Sequence, residues 1–448
     1  PTDERHGLRA HRLKLRDPGG TKGGMLVRHL FLVALATVEA WEASSSGRRA
    51  LPSRMAHRAW PVATSAAVDS LQDVLRTAGL DEPQVEAVWE RRPPGKLPGV
   101  VRQTALLEWL QRELNGEPVL HSYLCLRKAP QLLLKAGALE QLQESLDVIR
   151  EEMSQLTPRQ LSFLVAHSPE LLLVPAPQLR ENATWLGATI GLGEAARADV
   201  LAAAPKLLVA KRAAVLKNLA WLESQLDLAD AGRLQRVVCR TPLCLLLGEK
   251  TMGARVEYLR ELGVGQELLT SLVLCTPTLL HSPLSVLRLR LAWWTDEAGV
   301  AGAELPALLA RSPQLLRLGP KQCEAMVAWL LTLKLSRAQA LAVLRAEPGV
   351  LEQSEEQLQL KAAFFCDVIG GSPAELASVP HVLTCNLAKH AMLRHAFCLS
   401  QGIAASPTQL VVKGAATFCT EVAGCEEAEL RAFEEEGKHL QFYSGAAM

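Results

Sequence analysis

A proline recurs along this chain of 448 residues at a nearly constant spacing. Successive members of the series are 37, 39, 36, 37, 35, 36, 35 and 32 residues apart, and they are Pro93, Pro130, Pro169, Pro205, Pro242, Pro277, Pro313, Pro348 and Pro380. From Pro130 onward the fourth residue before each proline is apolar, and an apolar pair such as Leu171-Leu172 usually follows it. A period of this length is typical of a repeat protein, in which each unit packs against its neighbours.

A large side chain occupies a second fixed position, 16 residues after the proline. The residues there are Trp109, Leu146, Trp185, Trp221, Tyr258, Trp293, Trp329 and Phe364, with Phe397 one residue later in the last copy. Aromatic rings bury large areas and dominate core energetics. Packing between repeats is therefore favoured over base stacking as the role of this position.

The repeat that begins near Thr157 shows how one unit is organised. Thr157-Pro158 is a good helix start, because a hydroxyl cap precedes a proline at the first helical position. Pro169 ends that helix and predicts a tight turn or a short 3₁₀ helix directly after it. A second helix is expected from about Ala176 to Ile190, where Gly191-Leu192-Gly193 ends it.

The sequence therefore predicts an all-α fold, a superhelical solenoid of about nine helix-pair repeats of 35 to 37 residues with a proline-marked 3₁₀ turn between the helices. No apolar stretch is long enough to span a membrane. Four segments are expected: a basic N-terminal arm and linker (1–66), an N-terminal capping helix (67–80), the repeat array (81–420) and an acidic C-terminal tail or cap (421–448).

Charge is unevenly distributed, although the net charge is only +1. Lys and Arg outnumber Asp and Glu by 11 to 5 in residues 1–60 and by 18 to 11 in residues 205–345, whereas residues 346–448 hold 6 against 13. Concentrated positive charge on a long scaffold is typical of a polyanion-binding protein. From charge alone, ordinary solvated helix faces explain the pattern equally well.

Basic side chains in these regions are the candidate nucleic-acid contacts. Lys128, Arg240 and Arg311 share a register two residues before their prolines, so they could line one edge of the array. The full set is Arg5, Arg9, Arg12, Lys14, Arg16 and Lys22 in the arm, and Lys128, Lys206, Lys211, Arg212, Arg240, Arg288, Arg311, Arg317, Lys321 and Arg394 in the repeats.

No pattern in the sequence points to catalysis or to a cofactor. The Gly191-x-Gly193 pair lacks the preceding strand of a dinucleotide fingerprint, and no phosphate-binding Gly-Lys-Ser/Thr loop occurs. The ten cysteines are scattered without a Cys-x-x-Cys, and the cluster His381, Cys385, His390, His395 and Cys398 matches no structural zinc spacing. We predict no enzymatic activity, cofactor, metal, membrane association or small-molecule substrate.

Two repeat cores carry a resemblance to a known family. Leu-Ala-Ala-Ala-Pro205-Lys-Leu-Leu and Leu-Ala-Arg-Ser-Pro313-Gln-Leu-Leu are similar to the repeats of the mitochondrial transcription termination factor (mTERF) family. The stretch from Cys385 through Leu393-Arg394-His395-Ala396-Phe397 to Gly402, with Phe418 beyond, resembles the closing segment of that family. The resemblance covers about residues 81–420.

This resemblance implies a left-handed helical array that works in mitochondria or chloroplasts and binds nucleic acid along a basic concave face. Basic arms such as residues 1–24 commonly thread through ribosomal RNA, so we expect a monomer that binds and stabilises ribosomal RNA as a structural component or assembly factor of an organellar ribosome, with ribosomal proteins as further partners. The alternatives are a sequence-specific duplex DNA binder that regulates or terminates organellar transcription, and a protein-binding helical scaffold. The arginine-rich start after Pro1 fits a cleaved targeting peptide, and the mitochondrion is preferred over the chloroplast.

Overall fold

A computed structural model describes residues 70–114, 117–412, 414–439 and 443 of the chain. Every regular element in these residues is helical, which confirms the all-α class. The α-helices are α1 (Leu71–Thr77), α2 (Glu82–Arg91), α3 (Val100–Glu113), α4 (Pro118–Lys128), α5 (Leu139–Glu152), α6 (Pro158–His167), α7 (Ala176–Ile190), α8 (Glu194–Ala203), α9 (Arg212–Leu226), α10 (Ala231–Arg240), α11 (Glu249–Glu261), α12 (Gln266–Cys275), α13 (Leu284–Asp296), α14 (Leu305–Arg311), α15 (Pro320–Thr332), α16 (Arg337–Ala346), α17 (Glu355–Ala363), α18 (Pro373–Ser378), α19 (Leu393–Gln401), α20 (Pro407–Leu410), α21 (Ala415–Phe418) and α22 (Glu427–Glu435).

The predicted 3₁₀ turn follows every proline of the series from Pro130 onward. These segments are Pro130–Lys135, Pro169–Leu173, Pro205–Val209, Pro242–Leu246, Pro277–Leu280, Pro313–Leu316, Pro348–Glu352 and Pro380–Leu383. The residue before the proline leaves the helical region, as at Ser168, where φ is −133° and ψ is 57°. This is the steric effect that a proline has on its predecessor, and it ends each first helix at a fixed point.

The Pro93 repeat differs from the others, because no 3₁₀ segment follows its proline. Pro93 is itself followed by Pro94, which excludes Pro93 from the helical region, and Gly95 then takes a φ of 103°. An irregular link therefore leads to Val100, where α3 begins.

The chain divides into two compact units, the first reaching Ala220 and including Asp230–Leu246, the second formed by Trp221–Ala229 and the chain from Leu247 onward. In the first unit α4 packs on α6, α5 on α7 and α8 on α10, while consecutive 3₁₀ segments contact one another. In the second unit α12 packs on α14, α11 on α13 and α13 on α15. Corresponding elements of successive repeats are therefore stacked within each unit, as in a solenoid. The predicted segment boundaries stay predictions.

The large residue 16 positions after the proline packs between repeats, as predicted. Trp109 and Trp293 are buried, and their Nε1 groups donate hydrogen bonds to Gln143 and Glu324 of the next repeat, each at 2.8 Å. Trp185 and Tyr258 are half-buried beneath Arg212 and Arg288, whose Cζ atoms lie 5.3 and 5.2 Å from the ring centroids. These rings are thus occupied by contacts inside the protein.

The prediction that a glycine ends the second helix is also confirmed. Gly191 follows α7 in the left-handed conformation, with a φ of 74°. In the repeats from Pro205 onward, the equivalent positions, 21 or 22 residues after their prolines, have positive φ; they are Asp227, Gly263, Gly299, Lys334, Gly370 and Gly402.

The last described segments form a core of their own. Leu393, Phe397, Phe418, Leu430 and Phe433 are buried together, so that α22 packs against α19. Of the glutamates of α22, Glu429 and Glu435 are exposed, and Glu427 and Glu434 are half-buried. An apolar face towards the last repeat and a charged face outside suit a terminal cap.

Candidate nucleic-acid interface

Six of the predicted contacts lie outside the described residues: Arg5, Arg9, Arg12, Lys14, Arg16 and Lys22. The other ten are described. Nine of these are exposed or half-buried, and they are Lys128, Lys206, Lys211, Arg212, Arg240, Arg288, Arg311, Arg317 and Lys321. The tenth, Arg394, is buried, with 3% of its surface exposed.

The row two residues before the proline lies at the C-terminal ends of the first helices, which stack on one another within each unit. Arg311 donates from its guanidinium to the carbonyl oxygens of Arg345 and Ala346, at 3.1 and 3.3 Å. Arg91 occupies the same register and donates to the carbonyl of Arg127 at 3.4 Å. A cation at a helix C-terminus is stabilising, and Arg91 and Arg311 in this row also tie their first helices to the next.

Other basic residues lie in or directly after the 3₁₀ segments. Lys206 pairs with Glu170 at 3.2 Å, and Arg317 pairs with Glu352 at 3.9 Å. Each pair joins equivalent positions of two neighbouring repeats. Exposed pairs of this kind are weak and solvated, so both cations stay available to a phosphate.

The N-termini of the second helices lack side-chain caps, a feature that the sequence analysis missed. Pro175, Gly248, Pro283 and Gly319 precede α7, α11, α13 and α15, and none provides a side-chain cap. Backbone N–H groups at such ends carry partial positive charge and attract anions. The signal was present, since Ser, Thr, Asp and Asn are absent from these four positions.

Lysines lie in the first turns of two of these four helices, and the first turn of α11 also holds Glu249. Lys250 and Lys321 are exposed in the first turns of α11 and α15. In the next repeat Ser354 caps α17 through its side chain, and Glu355 and Glu356 fill the first turn. Within the second unit the uncapped helix ends are therefore those of α11, α13 and α15.

Arg394 has a different role from the predicted one. Its guanidinium donates to the carbonyl oxygens of Leu410, Val412 and Gly414 at 3.4, 2.6 and 2.7 Å, and its Cζ lies 4.9 Å from the Phe418 ring. Burial lowers its pKa. Because its donors are directed to the 410–414 backbone inside the C-terminal cap, Arg394 is unsuited to bind a phosphate and we remove it from the interface.

Sequence analysis also missed a register of buried and half-buried side chains 13 residues after the proline. Side chains there donate to a carbonyl of the next 3₁₀ segment: Asn182 to Leu208, Asn218 to Leu245, Arg290 to Leu316 and Lys361 to Leu383, at 2.7, 2.8, 2.8 and 2.9 Å. Burial lowers the pKa of Arg290 and of Lys361. Part of the positive charge counted from the sequence is therefore structural.

The histidines and cysteines near the C-terminus serve in packing. His381 bonds through Nε2 to the carbonyl of Val411, and His395 bonds through Nδ1 to the Tyr443 hydroxyl at 2.7 Å. All ten cysteines lie in the described part of the chain and are free thiols. In that part no three His, Cys, Asp or Glu side chains are placed to hold a metal ion, and no helix is both long and apolar enough to cross a bilayer.

These features define an all-helical repeat protein with stacked helix layers and a cationic edge. The mTERF family model matches residues 179–298 and 254–418, which together are more than half of the chain. The protein therefore belongs to the mTERF family, a non-enzymatic family of organellar proteins that bind nucleic acids. No curated protein matches the chain. The match confirms the resemblance carried by the Pro205 and Pro313 repeats.

Proposed function

We propose that this protein binds ribosomal RNA in mitochondria, as a structural component or an assembly factor of the organellar ribosome, without catalysing a reaction. One observation carries the proposal: exposed lysines such as Lys250 and Lys321 lie beside uncapped helix N-termini on a scaffold whose family binds nucleic acid. Phosphate groups are the ligands that this combination attracts. The basic N-terminal arm and linker, residues 1–66, adds further positive charge, which suits threading through folded RNA.

Sedimentation tests this function. Extracts of isolated mitochondria are separated on a gradient, and the protein is located relative to both ribosomal subunits. We expect it to sediment with a subunit or a subunit precursor at moderate salt and to be released by ribonuclease. A protein that stays at the top of the gradient in intact extract would overturn the ribosomal role, and association with the organellar genome would favour transcription instead.

A further inference from the structure

A groove opens between two successive repeats of the first unit, where helices α7 and α9 begin. Its volume is about 700 Å³. This volume lies within the usual range of sites for small organic ligands, about 300 to 1,000 Å³. One repeat lines the groove with residues 174, 175, 177, 178, 181 and 182, and the next repeat with residues 209–212.

The groove is lined by apolar side chains and by a polar set that we call the rim. Val174, Pro175, Pro177, Val209 and Ala210 supply the apolar surface. The prolines are rigid and have no N–H group, so they offer flat surfaces for stacking or for a sugar ring. The rim consists of Gln178, Glu181, Asn182, Lys211 and Arg212.

Arg212 is held in one position on this rim. Its Nη2 donates to Glu181 Oε1 at 2.7 Å and to Asn182 Oδ1 at 3.0 Å, and its guanidinium lies over Trp185. Asn182 is fixed in turn by its hydrogen bond to the Leu208 carbonyl. A guanidinium fixed in this way loses little conformational entropy when it binds an anion.

Two further rim side chains are exposed and can contact a ligand. Within the described residues the side chains of Lys211 and Gln178 take part in no hydrogen bond or ion pair. Lys211 immediately precedes α9, next to Arg212. The groove thus presents two adjacent cations, Lys211 and Arg212, and the Gln178 amide beside apolar side chains.

We propose that this groove holds one unpaired nucleotide of a bound RNA, an inference that rests on the proposed function. Lys211 and Arg212 contact the phosphate, Pro175 and Pro177 contact the sugar and base, and the Gln178 amide bonds to the base edge. An unpaired nucleotide fits because its base is free to enter a recess, whereas the bases of a duplex stay stacked within the helix.

Glu181 limits the affinity of this groove for RNA. Its carboxylate pairs with Arg212 and stands on the same rim as Lys211, so it competes with a phosphate for Arg212. The change Glu181→Gln keeps an oxygen acceptor for Arg212 and removes the negative charge. We expect this variant to bind RNA more tightly, whereas Lys211→Ala binds more weakly.

The experiment uses the full chain and fluorescein-labelled random-sequence RNA, single-stranded or duplex, over a range of salt concentrations. Lys211→Ala should weaken single-stranded RNA binding severalfold and reduce the slope of log Kobs against log salt by about 0.7. Lys96→Ala removes an exposed lysine far from the groove in sequence and serves as the matched control, with no expected change. Thermal melting verifies that every variant is folded.

The possible results separate the two proposals. If Lys211→Ala and Glu181→Gln bound RNA with unchanged affinity and the same salt dependence, the groove would not be an RNA-binding site. The proposed function would still stand. If Lys211→Ala lost affinity equally for single-stranded and duplex RNA, the proposal that the groove holds an unpaired nucleotide would be overturned. Failure of the unmodified chain to bind RNA at any salt concentration would overturn the proposed function itself. Ultraviolet crosslinks to residues 174–182 and 209–212 in single-stranded RNA would support the groove directly.

Discussion

At the scale of single residues, the position that follows the second helix has a left-handed backbone conformation, and the residue type there decides whether the backbone is strained. Glycine occupies it after α7, whereas Lys334 holds it with a φ of 64° after α15. A side chain with a Cβ atom is strained in this conformation, and glycine is not. The repeat pattern therefore shows which substitution relieves the strain.

We predict that Lys334→Gly raises the free energy of unfolding by about 0.5 to 1 kcal/mol, since relief of the strain exceeds the added entropy of the unfolded chain. Chemical denaturation measures the change. Gly402→Ala is the reciprocal control, because its φ is 67° and an added Cβ meets no atom within 4 Å. It should destabilise the protein by about 1 kcal/mol. A destabilised Lys334→Gly variant would contradict this account of the position.

A second residue-scale prediction concerns pH. Burial, together with the positive charges of Arg394 and His381, lowers the pKa of His390 from 6.5 to about 4. Its Nδ1 is buried and has no hydrogen-bond partner among the described residues. The unfolded chain takes up this proton near pH 6.5 and the folded chain only near pH 4. The unfolded state is therefore favoured progressively as the pH falls between these values.

We expect the free energy of unfolding to decrease by about 1 to 2 kcal/mol between pH 7 and pH 4 through His390, after allowance for solvent screening. Denaturation of the wild type and of His390→Gln at several pH values measures this contribution as the difference between the two curves. The glutamine variant should lose that part of the pH dependence. Parallel curves would show that His390 does not titrate differently on folding.

At the scale of elements, the contact between one second helix and the next 3₁₀ segment depends on a buried donor. Asn218 of α9 is buried, and its amide satisfies the Leu245 carbonyl at 2.8 Å. We predict that Asn218→Ala lowers the free energy of unfolding by about 1 to 3 kcal/mol, because the buried carbonyl loses its partner.

Urea denaturation measures this loss, with Glu223→Ala as the control on the same helix. Glu223 is exposed, so its removal should change stability by less than about 0.5 kcal/mol. Equal effects of the two substitutions would show that the hydrogen bond to Leu245 does not stabilise the stack.

The elements were largely predictable from the sequence, whereas the roles of charged side chains were not. Pro169 and Gly191 determine where helices end through local sterics, which act in any context, and the Trp109 register follows from the period itself. Arg394 and Arg290 were counted as positive charge like any exposed arginine. Their burial depends on which carbonyls the neighbouring segments bring close, and residue type alone does not encode that.

At the scale of the whole molecule, the repeats before α17 provide cations and the C-terminal cap provides carboxylates. We predict that the double substitution Lys250→Gln and Lys321→Gln lowers RNA affinity and reduces the salt slope by about 1.4, from two lost phosphate contacts. Fluorescence anisotropy at several salt concentrations measures both. Lys389→Gln with Lys438→Gln is the control, because these exposed lysines lie near the acidic end. Equal losses of RNA affinity in the two double variants would indicate that RNA is attracted by the overall charge and not by these two lysines.

The central claim is that this repeat protein binds ribosomal RNA through its cationic edge. Crosslinking and immunoprecipitation from isolated mitochondria, with RNA and DNA sequenced from the same sample, tests it most directly. The account predicts one discrete ribosomal RNA segment, with crosslinked peptides from residues 205–345 and from the basic arm. Recovery of a discrete site in the organellar genome without enrichment of ribosomal RNA would contradict it and would identify a transcription factor instead.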